Sequence, residues 1–245
     1  MGYDAVAVSA IDLTAGKEFF DSSAEDHYPW ISANIFDSNG KALFKPYIVK
    51  KIGGITVAVV GITGPGSQSS QWAVITDWQE SLHRQLQDLD SQADMVVLLS
   101  NLPSPDIRSI VQLFPQIDLI ISADRKRGNL SPYISGNSVI SQTQARGKYL
   151  GQLSIEFQKS GRWYSDNSRN IEALEDRIKS VNNQINRYQK KSDKQRNTAG
   201  RAEKLTSVKK DLEQQLAAEK SSRMDFPDQT ANRFKANFIP VKPDR

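Results

Sequence analysis

The chain of 245 residues contains no cysteine and only two histidines, His27 and His83, which lie far apart. Disulfides, thiol nucleophiles and Cys-based zinc sites are therefore excluded, and too few imidazoles remain for a His-rich zinc or di-iron centre. No apolar run approaches the ~20 residues that a helix needs to span a bilayer. The opening eight residues lack a basic stretch followed by an apolar one, so no signal peptide is visible in them. No Gly-x-Ser-x-Gly turn is present, which leaves a serine-hydrolase triad without support. Gly61-Ile62-Thr63-Gly64-Pro65-Gly66 lacks the Gly-Lys-Ser/Thr of a phosphate-binding loop, and Pro65 has no N–H to offer, so it reads as an ordinary strand-to-loop turn.

What is there is unevenly distributed. Apolar residues make up 38% and charged residues 24%, enough for a core. The net charge of +4 is not shared along the chain: residues 1–165 carry 14 basic and 16 acidic side chains, residues 166–223 carry 14 and 9. The only aromatic residue in that basic segment is Tyr188. Without interleaved aromatics to stack bases, the surplus reads as a solvated helix face and not as a nucleic-acid footprint. His27 and His83 read as surface residues.

Residues 1–160 alternate short β-branched runs with polar helical stretches. Tyr3–Val8, Trp30–Ile35, Phe44–Lys50, Ile55–Ile62, Met95–Ser100, Ile117–Ser122, Ser138–Thr143 and Leu150–Phe157 are predicted strands, and Trp78–Leu89 and Pro105–Phe114 predicted helices. Val57-Ala58-Val59-Val60 and Met95-Val96-Val97-Leu98-Leu99 are apolar at every position, as strands buried on both faces are, which implies helix layers on either side. Gly53-Gly54 stands at hairpin spacing. The expected class is α/β with a mixed sheet.

The pattern changes near residue 160. Ile171, Leu174, Ile178, Val181, Ile185 and Tyr188 recur at spacings of 3 and 4, a heptad seam, and Leu205, Val208, Leu212 and Leu216 form a second. The polar stretch from Lys190 to Gly200 separates them and ends in a helix-breaking glycine. Asp166 or Ser168 would cap the first helix and Pro227 would stop the second. Residues 161–223 therefore read as an antiparallel coiled-coil hairpin, a projecting arm for a protein partner or for self-association through 166–223. Residues 224–245, with Phe226, Phe234, Phe238, Ile239 and Val241 between prolines, read as an extended tail that docks back or leads into another module.

Several colinear segments carry a resemblance. Gly2-Tyr3-Asp4-Ala5-Val6-Ala7-Val8, Ser32-Ala33-Asn34-Ile35, Phe44-Lys45-Pro46-Tyr47, Gly54 to Thr63 and Gly147-Lys148-Tyr149-Leu150-Gly151 together resemble the metal-dependent half of bacterial 5′-nucleotidases and UDP-sugar hydrolases, within the calcineurin-like metallophosphoesterases. The likeness covers residues 1 to about 158. It implies a metallophosphoesterase-like sandwich, two divalent metal ions that generate a hydroxide and clamp a phosphate, and export to the periplasm or cell surface with a signal upstream of Met1.

Where the resemblance implies metal ligands, this sequence departs from the pattern. The family's first two ligand motifs should lie upstream of Met1. In place of an Asn-His pair stand Ala10 and Ile11, which offer a metal neither an amide oxygen nor an imidazole. Asn101 takes the place of a histidine after the Met95–Ser100 strand, and is a much poorer ligand. Asp124 and Lys126 stand where a Gly-His-x-His motif is implied; Asp124 retains a carboxylate, but Lys126 puts an ammonium where a dication would lie. The Arg125-Lys126-Arg127-Gly128 loop reads as a solvated loop pairing Asp124 or as the remnant of an anion pocket, and a Lys126–Asp124 salt bridge is expected to fill the metals' place. These positions imply no catalytic residues, no bound metal and no cofactor: a catalytically inactive domain kept as a scaffold. The alternatives are a metal-dependent phosphoester hydrolase completed by an upstream segment, and a fragment of a larger exported multidomain protein.

Overall fold

The computed structural model of the chain describes residues 2–66, 72–159, 161–164, 168–191, 199–221 and 231–241. In chain order these form β1 (Val6–Ala7), a 3-10 turn (Asp12–Ala15), α1 (Lys17–Glu25), β2 (Trp30–Ile31), β3 (Ile35–Phe36), β4 (Tyr47–Ile52), β5 (Ile55–Ile62), β6 (Val74–Ile75) and α2 (Trp78–Leu89). There follow β7 (Met95–Ser100), α3 (Ser104–Leu113), β8 (Leu119–Ser122), β9 (Leu130–Ser135), β10 (Ser138–Gln142), β11 (Tyr149–Glu156), β12 (Trp163–Tyr164), α4 (Ser168–Lys191), α5 (Ala199–Ser221) and β13 (Asn232–Pro240). Two compact units result: Met1–Trp163 with Asn232–Arg245, and Tyr164–Ala231.

The first unit is built on a six-stranded sheet ordered β4-β5-β7-β8-β10-β9. Strands β5, β7, β8 and β10 run parallel, and β4 and β9 flank them antiparallel. Gly53 and Gly54, both at positive φ, close the β4–β5 hairpin, as a two-residue turn of that twist requires. Helices α2 and α3 make the crossovers. Asp77 caps α2 by accepting from the N–H groups of Gln79 (2.8 Å) and Glu80 (3.1 Å), and Leu82, Leu86 and Leu89 form its buried stripe. Pro105 sits in the first turn of α3, where a missing N–H costs nothing.

Alternation along the strands decides what covers each face. Ala58, Val60, Ile62, Val96, Leu98, Ile120 and Ile140 face α2 and α3, meeting Leu86, Ile107 and Ile110. Val57, Val59, Met95, Val97, Leu119 and Val139 face the other way, onto Leu153, Ile155, Trp163 and Phe234. Those last residues belong to a three-stranded sheet ordered β11-β13-β12. The expectation of helices on both faces is thus corrected: a second sheet buries alternate residues as completely as a helix layer does, and apolar runs do not tell the two apart.

The same sheet corrects the reading of the C-terminal residues. Asn232–Pro240 is no tail but the middle strand, paired antiparallel with β11 from Tyr149–Pro240 to Glu156–Arg233. Its alternation (Phe234, Ala236 and Phe238 on one face, Arg233, Lys235 and Asn237 on the other) is that of a strand with one covered face. The first unit therefore takes in residues beyond the boundary expected near 160, and the helical segment is an insertion within it. Residues 224–230 lie outside the described residues. Strand β9 and helix α1 went unpredicted: β9 is interrupted by Pro132, and α1 buries only Phe20.

The second unit consists of α4 and α5 packed antiparallel, as the contacts Glu175–Lys220 (2.7 Å) and Asn182–Lys209 (3.2 Å) require. Val181, Ile185 and Leu212 are buried, with Leu174, Ile178 and Leu205 packed against them. The second seam differs from expectation. Val208 is 40% exposed, and the stem of Lys209 lies at the interface instead. Gly200 falls in the first turn of α5 rather than ending a helix; Asp166 and Pro227 lie outside the described residues.

Candidate functional site

Because β5, β7 and β8 are parallel, their carboxyl ends emerge at one edge of the sheet, where open α/β sheets bind ligands. A cleft of about 430 Å³ opens there. Its walls are mostly apolar, from Val6, Val8, Ile62, Leu99 and Ile121, with Ser9 and Asn101 among its few polar groups.

A buried polar network fixes the segments around the cleft. Ser32, Asn34 and Thr63 are each no more than 1% exposed. The Asn34 side chain accepts from Thr63 N–H (2.9 Å) and donates to the carbonyls of Thr63 (2.8 Å) and Thr76 (3.0 Å). Thr63 Oγ1 donates to the Val8 carbonyl at 2.6 Å. This network ties β1, β3, β5 and β6 together and satisfies each buried group, as an interior polar cluster must. Gly61, at the end of β5, allows a close approach: a Cβ there would lie 2.8 Å from the carbonyl oxygen of Ile31.

The candidate positions fall in three places. Ala10 and Ile11 follow β1, where Ala10 is buried and Ile11 points to solvent at 53% exposure, directly before the 3-10 turn. Next to them the Asp12 carboxylate accepts from Ser9 N–H (2.8 Å) and Ser9 Oγ (2.7 Å). Asn101 follows β7, and its Oδ1 accepts from Gly64 N–H at 2.5 Å, which pins the turn after β5. Asp124 follows β8. Its Oδ1 accepts from Lys126 N–H (3.0 Å) and its Oδ2 from Ser104 N–H (3.3 Å) and Ser104 Oγ (3.2 Å). Asp124 thereby caps α3, placing a carboxylate at the positive end of the helix.

The expected salt bridge is corrected here. The cation beside Asp124 is Arg127, with Nε 4.0 Å from Oδ2, while Lys126 contributes its backbone N–H. The tight turn sets this outcome, because an N–H two residues on reaches the carboxylate that it follows. Burial alone would raise the pKa of Asp124, but hydrogen bonds from Lys126 and Ser104 and the charge of Arg127 outweigh it, and the carboxyl titrates below its ordinary range. Two residues of this cluster, Ser104 and Gln142, went unnoticed in the sequence. Gln142 is 2% exposed; its Oε1 accepts from Asp124 N–H (2.9 Å), and its Nε2 donates to the carbonyls of Asp124 (3.0 Å), Arg127 (3.2 Å) and Gly128 (3.1 Å). One buried amide thus holds the whole 124–128 loop. The available signal was a long polar side chain at the end of an apolar strand.

The chain is 29% identical over 138 residues to the uncharacterised metallophosphoesterase YunD of Bacillus subtilis, a match spanning 53% of this chain and 30% of that protein. Its structure matches the sulfate thiohydrolase SoxB of Thermus thermophilus with a TM-score of 0.59 and 25% identity, over 66% of this chain and 31% of that one. The α/β unit is similar in sequence to a metallophosphoesterase and in fold to SoxB. A 5′-nucleotidase precursor, also from Thermus thermophilus, shares its fold, with a TM-score of 0.54 at 23% identity over 65% of this chain and 37% of that one. No family model matches the chain, which spans about a third of the length of these relatives.

The resemblance to metallophosphoesterases implies two divalent ions. The described residues do not fit such a pair. No group of three His, Asp or Glu side chains converges among the described residues, and the two polar side chains at the site are used internally, Asn101 Oδ1 accepting from Gly64 N–H and Asp124 from Lys126 and Ser104. Lys126 and Arg127 add positive charge to the 124–128 loop. No described helix is long and apolar enough to cross a membrane.

Proposed function

We propose that this chain is a non-catalytic metallophosphoesterase-like domain, kept as a scaffold, whose paired helices α4 and α5 serve as a coiled-coil arm for a protein partner. The observation that carries the reading is the use made of Asp124. A carboxylate at a position where the family resemblance implies metal ligation spends its lone pairs on capping α3 and closing the 124–128 loop. Three hydrogen bonds occupy most of its roughly four lone-pair sites, and the Arg127 guanidinium lies 4.0 Å away, so the carboxylate is already satisfied without a cation. Ala10, Ile11, Asn101 and Lys126 offer no replacement, so in this reading the chain holds no metal cofactor. The arm enters as an insertion between β12 and β13, with a basic surplus and a narrow apolar seam, features suited to recognition by contact. By resemblance to exported nucleotidases, the protein acts in the periplasm or outside the cell.

The test is phosphatase activity of the purified chain on a generic phosphoester, with Mn²⁺, Zn²⁺ or Mg²⁺ titrated and bound metal measured in parallel. The expected result is neither turnover nor stoichiometric metal. Metal-dependent turnover abolished by Asp124→Ala would overturn the reading in favour of a phosphoester hydrolase. That second reading draws its support from the relatives, one of them named a metallophosphoesterase and one a 5′-nucleotidase precursor.

A further inference from the structure

Strand β11 presents the longest unprotected edge among the described residues. Its partner on one side is β13, in the register Leu150–Ile239, Gln152–Asn237, Ser154–Lys235 and Glu156–Arg233. Val241 N–H donates to the Lys148 carbonyl at 2.9 Å one step outside that ladder. Hydrogen-bonded pairs alternate along an antiparallel ladder, so residues 150, 152, 154 and 156 bond β13. Tyr149, Gly151, Leu153 and Ile155 then direct their N–H and C=O groups the other way, where no described residue pairs with them.

Among the described residues, the other edges of the two larger sheets are guarded. The edge strand β4 carries Lys50 and Lys51, β9 contains Pro132, and β12 is two residues long. Charged side chains, proline and shortness are the usual means of keeping an edge from pairing. Strand β11 has eight residues, no proline, and a single charged side chain, Glu156, at its end.

We propose that this edge pairs with the same edge of a second copy, antiparallel about a twofold axis at Gln152. In this register Tyr149 stands opposite Ile155 and Gly151 opposite Leu153, so all four free residues of each copy find a partner. A shift of two residues either way leaves free groups unpaired at the ends. The same register sets Lys148 of one copy opposite Glu156 of the other, twice. Both side chains are exposed, and the pairing of Glu156 with Arg233, at 3.6 Å, leaves the glutamate 75% accessible. Opposite charges facing each other across an antiparallel pair stabilise it, and like charges oppose it. The two three-stranded sheets then join into one of six strands. This inference concerns a different surface from the helical arm and does not depend on the loss of catalysis.

Sedimentation equilibrium of the full chain over a micromolar concentration series tests it, with amide exchange of residues 149–155 followed over the same series. The expected result is a reversible dimer in which the amides of Tyr149, Gly151, Leu153 and Ile155 gain protection as dimer forms. Lys148→Glu and Glu156→Lys each place like charges together and are expected to weaken the dimer roughly tenfold. Mixing the two variants restores both pairs in a heterodimer and is expected to bring association back. A chain that stays monomeric throughout overturns the proposal. So does a dimer in which residues 149–155 remain unprotected and the charge variants have no effect, because association then runs through another surface.

Discussion

The α/β unit and the helical unit bury apolar side chains on different scales. In the first, every parallel strand is covered twice, by α2 and α3 on one face and by the three-stranded sheet on the other. In the second, α4 and α5 share a single line of contact in which only Val181, Ile185 and Leu212 form the fully buried part of the cluster. Stability follows buried apolar area, so the two units should differ in what they can lose. A two-helix hairpin is near the limit of what such a seam holds, since helices of this length owe most of their stability to packing.

The sharpest way to break the comparison is to delete one leucine from each unit. Leu98 is fully buried, and Leu98→Ala is expected to cost about 3–5 kcal/mol, near the whole stability of a small domain. Leu212→Ala is expected to destabilise the helical unit while leaving the stability of the α/β unit unchanged. The four tryptophans, Trp30, Trp72, Trp78 and Trp163, all lie in the α/β unit, whereas α4 and α5 hold most of the helix. Tryptophan fluorescence and circular dichroism at 222 nm therefore report different units. Leu98→Ala should lower the fluorescence midpoint; Leu212→Ala should lower the dichroism midpoint alone. A Leu212→Ala variant that shifts both curves equally would mean that the two units unfold as one.

Two carboxyls inside the α/β unit sharpen the contrast through pH. Burial is the main cause that pushes Asp118 up to about 6, against the N–H of Val96, which donates to it at 2.8 Å. A carboxyl raised on folding stabilises the folded state fully below its unfolded value near 4, and that contribution is lost as pH rises through about 6. Asp124 has the opposite sign: its lowered pKa contributes stability above about 4 that disappears in stronger acid. Asp118→Asn is expected to flatten the fall in fluorescence-monitored urea midpoint between pH 4.5 and 7.5, an effect of about 1–2 kcal/mol once partial solvent access is allowed for. An unchanged slope in the variant would remove Asp118 as its cause. The helical unit should show no such dependence from this carboxyl.

What the sequence made legible follows the same division. Strands β5 and β7 were readable to the residue, because continuous β-branched and aliphatic runs admit few alternatives at that length. Helix α2 was equally plain from Trp78, Leu82, Leu86 and Leu89. The identity of the layer over the far face was not, since burial by sheet or by helix leaves the same composition. Strand β13 was obscured by Pro240 and Pro243 and by its distance from β11, some eighty residues earlier in the chain. At the candidate site, the sequence pointed to positions 101, 124 and 126, but not to what holds them. Asn101 fastening Gly64, and Gln142 fastening the 124–128 loop, are long-range contacts that spacing alone does not encode.

The smallest expected effect concerns the seam of the helical unit. Spacing placed Val208 in it, and a leucine-to-leucine heptad would indeed run 205, 208, 212. In the structure Lys209 takes the inner position, with its ammonium on Asn182 Oδ1 at 3.2 Å and Glu213 Oε1 at 3.7 Å. A polar pair at a helix interface favours one alignment over its neighbours at a cost in stability. Val208→Ala should therefore shift the dichroism midpoint by less than about 0.5 kcal/mol, within the range of exposed positions. Lys209→Ala should do more, because it removes the stem from the interface and leaves Asn182 without its donor. The reverse order of these two variants would place the seam at Val208 after all, and would mean that the pairing of α4 with α5 is rotated by about one residue about α5.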